Sequence, residues 1–258
     1  MKIIVTEEQY KMINESNGKL AKISMDGLPG DSGEEKFTNF MNLYKKAKEV
    51  RGFTGIHILG DLNLSTAVFI KSLGEVKIVD GDLYLRFSFL ESLGDLEYVG
   101  GNVYLKGTDK LKSLGNLRKV GGELDITDCE SLEDLGDLEK VKTINGIETT
   151  KVTSLGNLKE VDYLYHSQVD SMLKNIESLG SLTRVTRYID LSKSKIKTLG
   201  NLEYVGDFLD LRRSDVEDLG NLKFVGSNMA IIETPLSKKY DANEIEEMVD
   251  IQGRLYVD

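Results

Sequence analysis

The chain has 258 residues, enough for one large domain or two small ones, and combines 25 Gly with only 2 Pro and no Trp. Its formal net charge of −10 argues against duplex DNA or an anionic membrane as the main partner, because both require clustered Lys and Arg. There is no apolar run of about 18 residues, and acids stand where a signal peptide needs apolar residues, so we expect a cytoplasmic protein. A single cysteine, Cys129, and two histidines leave no ordinary disulfide or zinc site, and we expect no cofactor.

Residues 1–50 form a separate compositional unit with 8 basic and 8 acidic side chains. A capping box at Thr6 predicts a helix to about Asn17, and Ser32 opens a second predicted helix that extends through Val50. Apolar residues recur on the second helix at helical spacing, so we predict an N-terminal helical cap on the rest of the chain. A docking or oligomerisation role for Met1 to Asn17 is the alternative.

A repeat occupies most of the remaining chain. A Leu-Gly dipeptide followed by a short polar residue recurs at spacings of 20, 21, 21, 20, 24, 20 and 20 residues. The repeat is clearest from Leu199 to Asp218, LGNLEYVGDFLDLRRSDVED. Its glycines are Gly74, Gly94, Gly115, Gly136, Gly156, Gly180, Gly200 and Gly220. Such self-similarity predicts a solenoid in which each repeat is one coil.

Each repeat contains an L-x-L triplet, whose period of two points both apolar residues to the same side of a short strand. We therefore predict about ten short parallel strands, including an Asn145/Ile147 pair in the fifth coil. Three residues after most triplets lies a small residue that should face the interior and hydrogen-bond the backbone. Because Cys129 occupies this column, we interpret it as a buried structural residue and not as a nucleophile. The column consists of Ala67, Ser88, Thr108, Cys129, Thr150, Ser194, Ser214 and Thr234.

The pattern LxLxxSxVxxLGxL resembles the leucine-rich repeat signature LxxLxLxxNxL in a short form of 20 to 21 residues. It departs from that family at the first leucine and at the asparagine ladder. The resemblance implies a leucine-rich-repeat α/β solenoid over residues 51–236 that binds ligands on its concave strand face. Similar repeats occur in bacterial and bacteriophage proteins.

Two irregularities follow the regular coils. The 24-residue spacing places extra residues around His166 to Ser171, where an insertion either contributes to binding or is tolerated as loop drift. Residues 237–258 contain a predicted helix from Asp241 to Met248 and a last strand from Arg254 to Val257, and we predict that they form a C-terminal helix-strand cap.

Outward positions on the predicted strands suggest two contact areas. The first combines Tyr84 and Tyr104 with Arg86 and Lys106, a mixture that protein interfaces favour. The second is a predicted apolar strip with charged neighbours, which is unusual for a monomer surface unless a partner covers it. The strip consists of Ile144, Leu164, Tyr188 and Phe208, with His166, Asp190, Asp210 and Arg212 around it.

Catalytic and metal-binding interpretations are weaker. Asp61, Asp82 and Glu123 share one column, but an open strand face offers no sheltered pocket that would raise a carboxyl pKa, and no calcium-binding loop is present. His57 and His166 are five coils apart and cannot share a site.

The sequence therefore favours a non-catalytic protein-binding module that uses the strand face, with no nucleic-acid or membrane partner. A structural or self-associating component of a larger assembly, such as a phage particle, is the alternative, and carbohydrate binding through Tyr84 and Tyr104 is a less favoured third.

Overall fold

The chain folds into a parallel β-solenoid of stacked coils. The structure is a computed structural model that describes residues 14–15, 20–26, 28, 30–164, 173 and 175–258. The solenoid architecture predicted from the repeat is confirmed. The predicted first helix lies largely outside the described residues, although Asn14–Glu15 is a strand antiparallel to Leu20–Ser24.

Each regular coil contributes two short strands, so the predicted total of about ten was too low. Twenty strands are present in the described residues, because a second segment, which buries a valine in most coils, also pairs from coil to coil. We call the two faces the Leu face and the Val face. The Leu-face strands are Leu62–Asn63, Leu83–Tyr84, Val103–Tyr104, Glu123–Asp125, Ile189–Asp190, Leu209–Asp210, Met229–Ala230 and Leu255–Tyr256. The Val-face strands are Leu20–Ser24, Gly55–Leu59, Val76–Val79, Tyr98–Val99, Lys119–Val120, Lys140–Asn145, Glu160–Tyr163, Arg184–Val185, Tyr204–Val205, Phe224–Val225 and Asp250–Ile251.

The third side of each coil is a turn built around the repeated Leu-Gly dipeptide. The glycine adopts a positive φ, which glycine reaches without steric cost, and its N–H donates to a Ser, Thr or Asp side chain two residues earlier. Ser113 and Gly115 make this bond at 3.1 Å, and Asp134 and Gly136 make it at 2.8 Å. The Ser, Thr or Asp two residues before the glycine therefore satisfies a backbone donor in each of these turns.

The core is a set of stacked aliphatic columns together with the predicted column of small residues. Thr108 donates to the Leu85 carbonyl at 3.0 Å, and the Cys129 thiol donates to the Leu105 carbonyl at 3.2 Å. Both side chains are fully buried, as the column predicted. Burial raises the pKa of the Cys129 thiol to about 11, so the thiol is protonated at physiological pH.

The helix Gly33–Arg51 follows the Ser32 cap closely, as predicted, and its Phe40 and Tyr44 side chains are fully buried. Its Glu34 carboxylate accepts the backbone N–H groups of residues 68–70, the shortest of these bonds being 2.7 Å to Phe69. Near the C-terminus, Pro235–Lys239 and Ala242–Met248 are helices, each with a capping box. The predicted helix after Asp241 is confirmed, and the strand after it is Leu255–Tyr256.

The predicted outward orientation of Ile144 and Leu164, in the fifth and sixth coils, was wrong, because both side chains are fully buried. Ile144 lies opposite Leu124, and Leu164 is bridged to Ile189. In these two coils only two residues separate the buried valine from the next buried aliphatic, whereas the other coils have three. A one-residue change of phase moves a strand side chain to the opposite face.

The predicted Asn145/Ile147 pair was wrong for the same reason, because the fifth coil has one residue fewer after its buried valine. The strand Lys140–Asn145 runs through the shortened corner and pairs on both faces, and Ile144 and Ile147 form the buried pair that corresponds to the L-x-L leucines of other coils. A short 3-10 turn, Ile147–Thr149, follows Gly146, whose φ of 82° favours glycine.

Two glycines at the same repeat position should tolerate alanine differently. Gly115 and Gly136 have φ of 58° and 57°, so either alanine costs about 1 to 2 kcal/mol in backbone conformation. A Cβ at Gly115 meets no atom within 4 Å, whereas a Cβ at Gly136 lies 2.3 Å from the Gly115 carbonyl oxygen. We expect Gly136→Ala to lower the urea unfolding midpoint clearly more than Gly115→Ala does. Equal losses would contradict the coil-on-coil contact.

Cys129 should resist thiol reagents in the native protein, because its thiol is buried and its pKa is raised to about 11. We expect an aromatic disulfide reagent at neutral pH to label one thiol only after denaturation. The denatured sample is the control, and rapid labelling of the folded chain would show that this column is open to solvent.

Candidate binding surface

The column of polar residues that begins with Asp61 on the Leu face has a structural role. The Asp61 carboxylate accepts the Asp82 N–H at 2.8 Å, and Asp82 in turn accepts the Asn102 N–H at 2.7 Å. Asn102 continues the ladder by accepting the Glu123 N–H at 2.8 Å. These side chains therefore hold neighbouring coils together.

Glycines beside this ladder leave room for the side-chain oxygens. A Cβ at Gly101 would lie 2.1 Å from Asp82 Oδ1, and one at Gly122 would lie 2.2 Å from Asn102 Oδ1. The second glycine of each Gly-Gly pair therefore belongs to the coil contact.

Tyr84, Arg86, Tyr104 and Lys106 lie together and form what we call the tyrosine patch. The two tyrosine rings are stacked, with centroids 5.0 Å apart, and the Arg86 guanidinium carbon is 4.2 Å from the centre of the Tyr104 ring. The Tyr84 hydroxyl donates to Asp82, and this hydrogen bond raises the pKa of Tyr84. Lys106 is 3.7 Å from Asp128. The structure brings Tyr84, Tyr104 and Arg86 into contact, and whether these residues and Lys106 bind a partner stays a prediction.

The second area, which we call the aspartate patch, contains Tyr188, Asp190, Phe208, Asp210 and Arg212. The rings of Tyr188 and Phe208 are half-buried, with centroids 5.3 Å apart. Asp190 lies opposite Asp210 on the neighbouring strand. Rings and carboxylates therefore form two adjacent rows on two coils, because residues two apart on a strand share a face.

Asp210 is 1% exposed, and Arg212 compensates its charge. The Arg212 Nε lies 2.9 Å from one carboxylate oxygen and its Nη2 lies 2.5 Å from the other, which is a bidentate arrangement. Burial raises the pKa of Asp190, and the negative charge of Asp210 adds to this effect. The Asp190 carboxylate also accepts the Ser192 N–H at 2.8 Å.

The aspartate patch does not contain all the residues of the predicted apolar strip, and it has an additional neighbour. Ile144 and Leu164 belong to the core, and His166 lies outside the described residues. The corrected phase places Tyr163 in the column that contains Tyr188 and Phe208, with the Arg187 guanidinium 5.2 Å from the Tyr163 ring. Counting residues from the preceding buried valine would have identified Tyr163.

Sequence reasoning also missed aromatic residues away from the Leu face. On the Val face, the Tyr204 and Phe224 rings are stacked at 5.1 Å, and the Arg184 guanidinium lies 3.8 Å from Tyr204. Phe87 and Phe89 are exposed at the corner that follows the Leu face. The signal was available, because most other coils carry polar residues at these corner positions.

No family model matches the sequence, and no curated protein or solved structure is significantly similar to it. Within the described ranges, no group of three or more His, Cys, Asp or Glu side chains is placed to hold a metal ion. The helices in those ranges are too short or too polar to cross a bilayer.

Asp190→Asn should raise the free energy of unfolding at neutral pH. A folded-state pKa above the unfolded value means that the charged carboxylate opposes folding at neutral pH, and the amide retains an acceptor for the Ser192 N–H. The difference from wild type should shrink as pH falls from the raised folded-state pKa to the unfolded-state pKa, because over that range the folded state binds a proton at Asp190 that the unfolded state lacks. Urea unfolding at several pH values measures this difference.

Asp210→Asn is the matched control and should be destabilising, because it weakens the charge-assisted pairing with Arg212. A loss of stability in Asp190→Asn at neutral pH would contradict the assigned effect of burial.

Proposed function

We propose that the chain is a non-catalytic protein-binding module that presents the Leu face to a partner. The observation that carries this proposal is the aspartate patch, where the half-buried Tyr188 and Phe208 rings share a strand face with Arg212, whose side chain is 53% exposed and pairs with the buried Asp210. Aromatic rings contribute large contact areas with few rotatable bonds, and neighbouring charged groups fix the orientation of a partner.

The tyrosine patch supports the same proposal. The Arg86 guanidinium lies over the Tyr104 ring, which is stacked on Tyr84. A partner that covers these residues would bury an arginine and two tyrosines, which are the residue types that dominate binding energy at protein interfaces.

We further propose a distant relationship to leucine-rich repeats, supported by the buried apolar pairs and the ladder of small residues. The second strand in each coil departs from the helical segment that such repeats usually contain. In this proposal the helix Gly33–Arg51 caps the first coil, supported by the burial of Phe40 and Tyr44 and by the Glu34 hydrogen bonds. The helices Pro235–Lys239 and Ala242–Met248 cap the last coils.

Removing the aromatic pair of the aspartate patch should abolish partner capture and leave the fold intact. In affinity purification from the native host, we expect the double variant Tyr188→Ser/Phe208→Ser to fail to capture proteins that the wild-type chain captures. The matched control is Tyr204→Ser/Phe224→Ser, which removes an equally half-buried, adjacent pair on the Val face of the same solenoid. Circular dichroism confirms folding of both variants.

Loss of capture by the Val-face control alone would contradict the proposal. The alternative of a self-associating structural component is supported by Met248 and Tyr256, which are 48% and 39% exposed on the last coil. Light scattering separates the two functions, because a monomer contradicts self-association, and an oligomer that Tyr256→Ser dissociates supports it.

A further inference from the structure

Four exposed apolar residues form a cluster on the first two coils, separate from both Leu-face patches. They are Val68, Phe69, Phe87 and Phe89, which are 43%, 85%, 55% and 43% exposed, and we call them the phenylalanine patch. In the described part of the chain only six large apolar residues are this exposed, so their concentration at one corner is a local feature. Contiguous exposed apolar surface of this kind marks interaction sites.

The solenoid does not require phenylalanine at position 87. Phe87 has a left-handed backbone conformation with φ of 55°, and the corresponding positions of other coils carry polar residues such as Asp128 and Arg213 at φ of 58° and 60°. A bulky residue is disfavoured in this conformation, and burial does not compensate for it, because the side chain is exposed.

The next coil provides space for the Phe87 ring. A Cβ added to Gly107 would lie 2.5 Å from Phe87 Cδ1, so only glycine leaves room for the ring in this position. The Phe87 N–H donates to the Lys106 carbonyl at 2.8 Å, which fixes the corner to the next coil. The ring therefore lies along the solenoid surface on a rigid backbone, as an anchor for a ligand requires.

Two ammonium groups lie beside the Phe89 ring, together with two carboxylates. The ammonium groups of Lys71 and Lys110 lie 5.3 and 5.4 Å from the centre of the Phe89 ring. Nearby carboxylates are engaged: Glu34 accepts three backbone N–H groups, and Glu91 lies 3.7 Å from Lys71. Cationic groups thus border an aromatic surface on a chain whose net charge is −10.

We propose that the phenylalanine patch docks a peptide segment of a partner protein that combines apolar anchors with Asp or Glu side chains. The anchors would cover the three rings, and the carboxylates would meet Lys71 and Lys110. A second copy fits less well, because a two-fold contact would bring the same lysines together and join two chains of charge −10. An anionic bilayer fits less well, because binding to a membrane surface needs a larger cluster of Lys and Arg than the two lysines beside these rings.

Selection from a random peptide library displayed on phage tests this proposal without a known partner. The immobilised full chain is the target, and the triple variant Phe69→Ser/Phe87→Asn/Phe89→Ser serves for counter-selection. Asn tolerates the left-handed conformation at position 87, so this change removes the ring without adding backbone strain. The control Tyr256→Ser removes an exposed ring at the other end of the solenoid.

We expect enriched peptides to be acidic and apolar, and to bind wild type and Tyr256→Ser equally. The triple variant should bind them at least about tenfold more weakly. Lys71→Glu/Lys110→Glu should weaken binding several-fold, and added salt should do the same to wild type.

Enriched peptides without an acidic bias, or no enrichment over the triple variant, would overturn the proposal. The proposal is also overturned if the chain co-sediments with phosphatidylserine vesicles and only the triple variant fails to do so. Light scattering that shows an oligomer of the chain, dissociated only by the triple variant, would overturn it as well. The Tyr188→Ser/Phe208→Ser variant should bind the peptides normally, so failure of the Leu-face function and failure of this inference are distinguishable.

Discussion

Parallel hydrogen bonding between equivalent residues of successive coils is the constraint on which this structure depends. Leu83 lies opposite Val103, and Val103 lies opposite Leu124, so each buried residue meets its own repeat equivalents above and below. The environment of a residue is therefore set largely by its column. Small residues recur at the buried corner because the column offers little volume, and several of them donate to a nearby backbone carbonyl. Glycine recurs at the turn because each turn needs a positive φ.

The stacking of coils also determines which outward-facing side chains pair with one another. On the Val face, Glu139 accepts hydrogen bonds from Lys159 and Arg118 on the coils either side, and these bonds lower the pKa of Glu139 to about 2. Many charges on this acidic chain are thus paired from coil to coil, and others hold backbone amides. The aromatic positions differ, because a half-buried ring satisfies no backbone donor. The rings of the Leu face and the rings of the corner after it are therefore the positions at which we propose separate partners.

The solenoid, the inward column of small residues and the second helix were predictable, because the repeat supplies many independent copies of one pattern. The phase error at Ile144 and Leu164 arose where that pattern loses one residue, and periodicity alone cannot show which side of a deletion has shifted. The second strand of each coil was missed because it buries one valine and presents varied residues outward. Phe69 and Phe87 were missed for the opposite reason, since a repeat consensus averages away the exceptions that distinguish one coil from the next.

Methyl-methyl nuclear Overhauser effects in protein labelled at Ile, Leu and Val methyl groups test the stacking of equivalent residues most directly. The account predicts cross-peaks from the Val103 methyls to those of both Leu83 and Leu124, and from Ile144 to Leu124, because these side chains face the interior on adjacent strands. A spectrum in which Val103 contacts neither neighbour, or in which the Ile144 methyls are in contact with solvent, would contradict it.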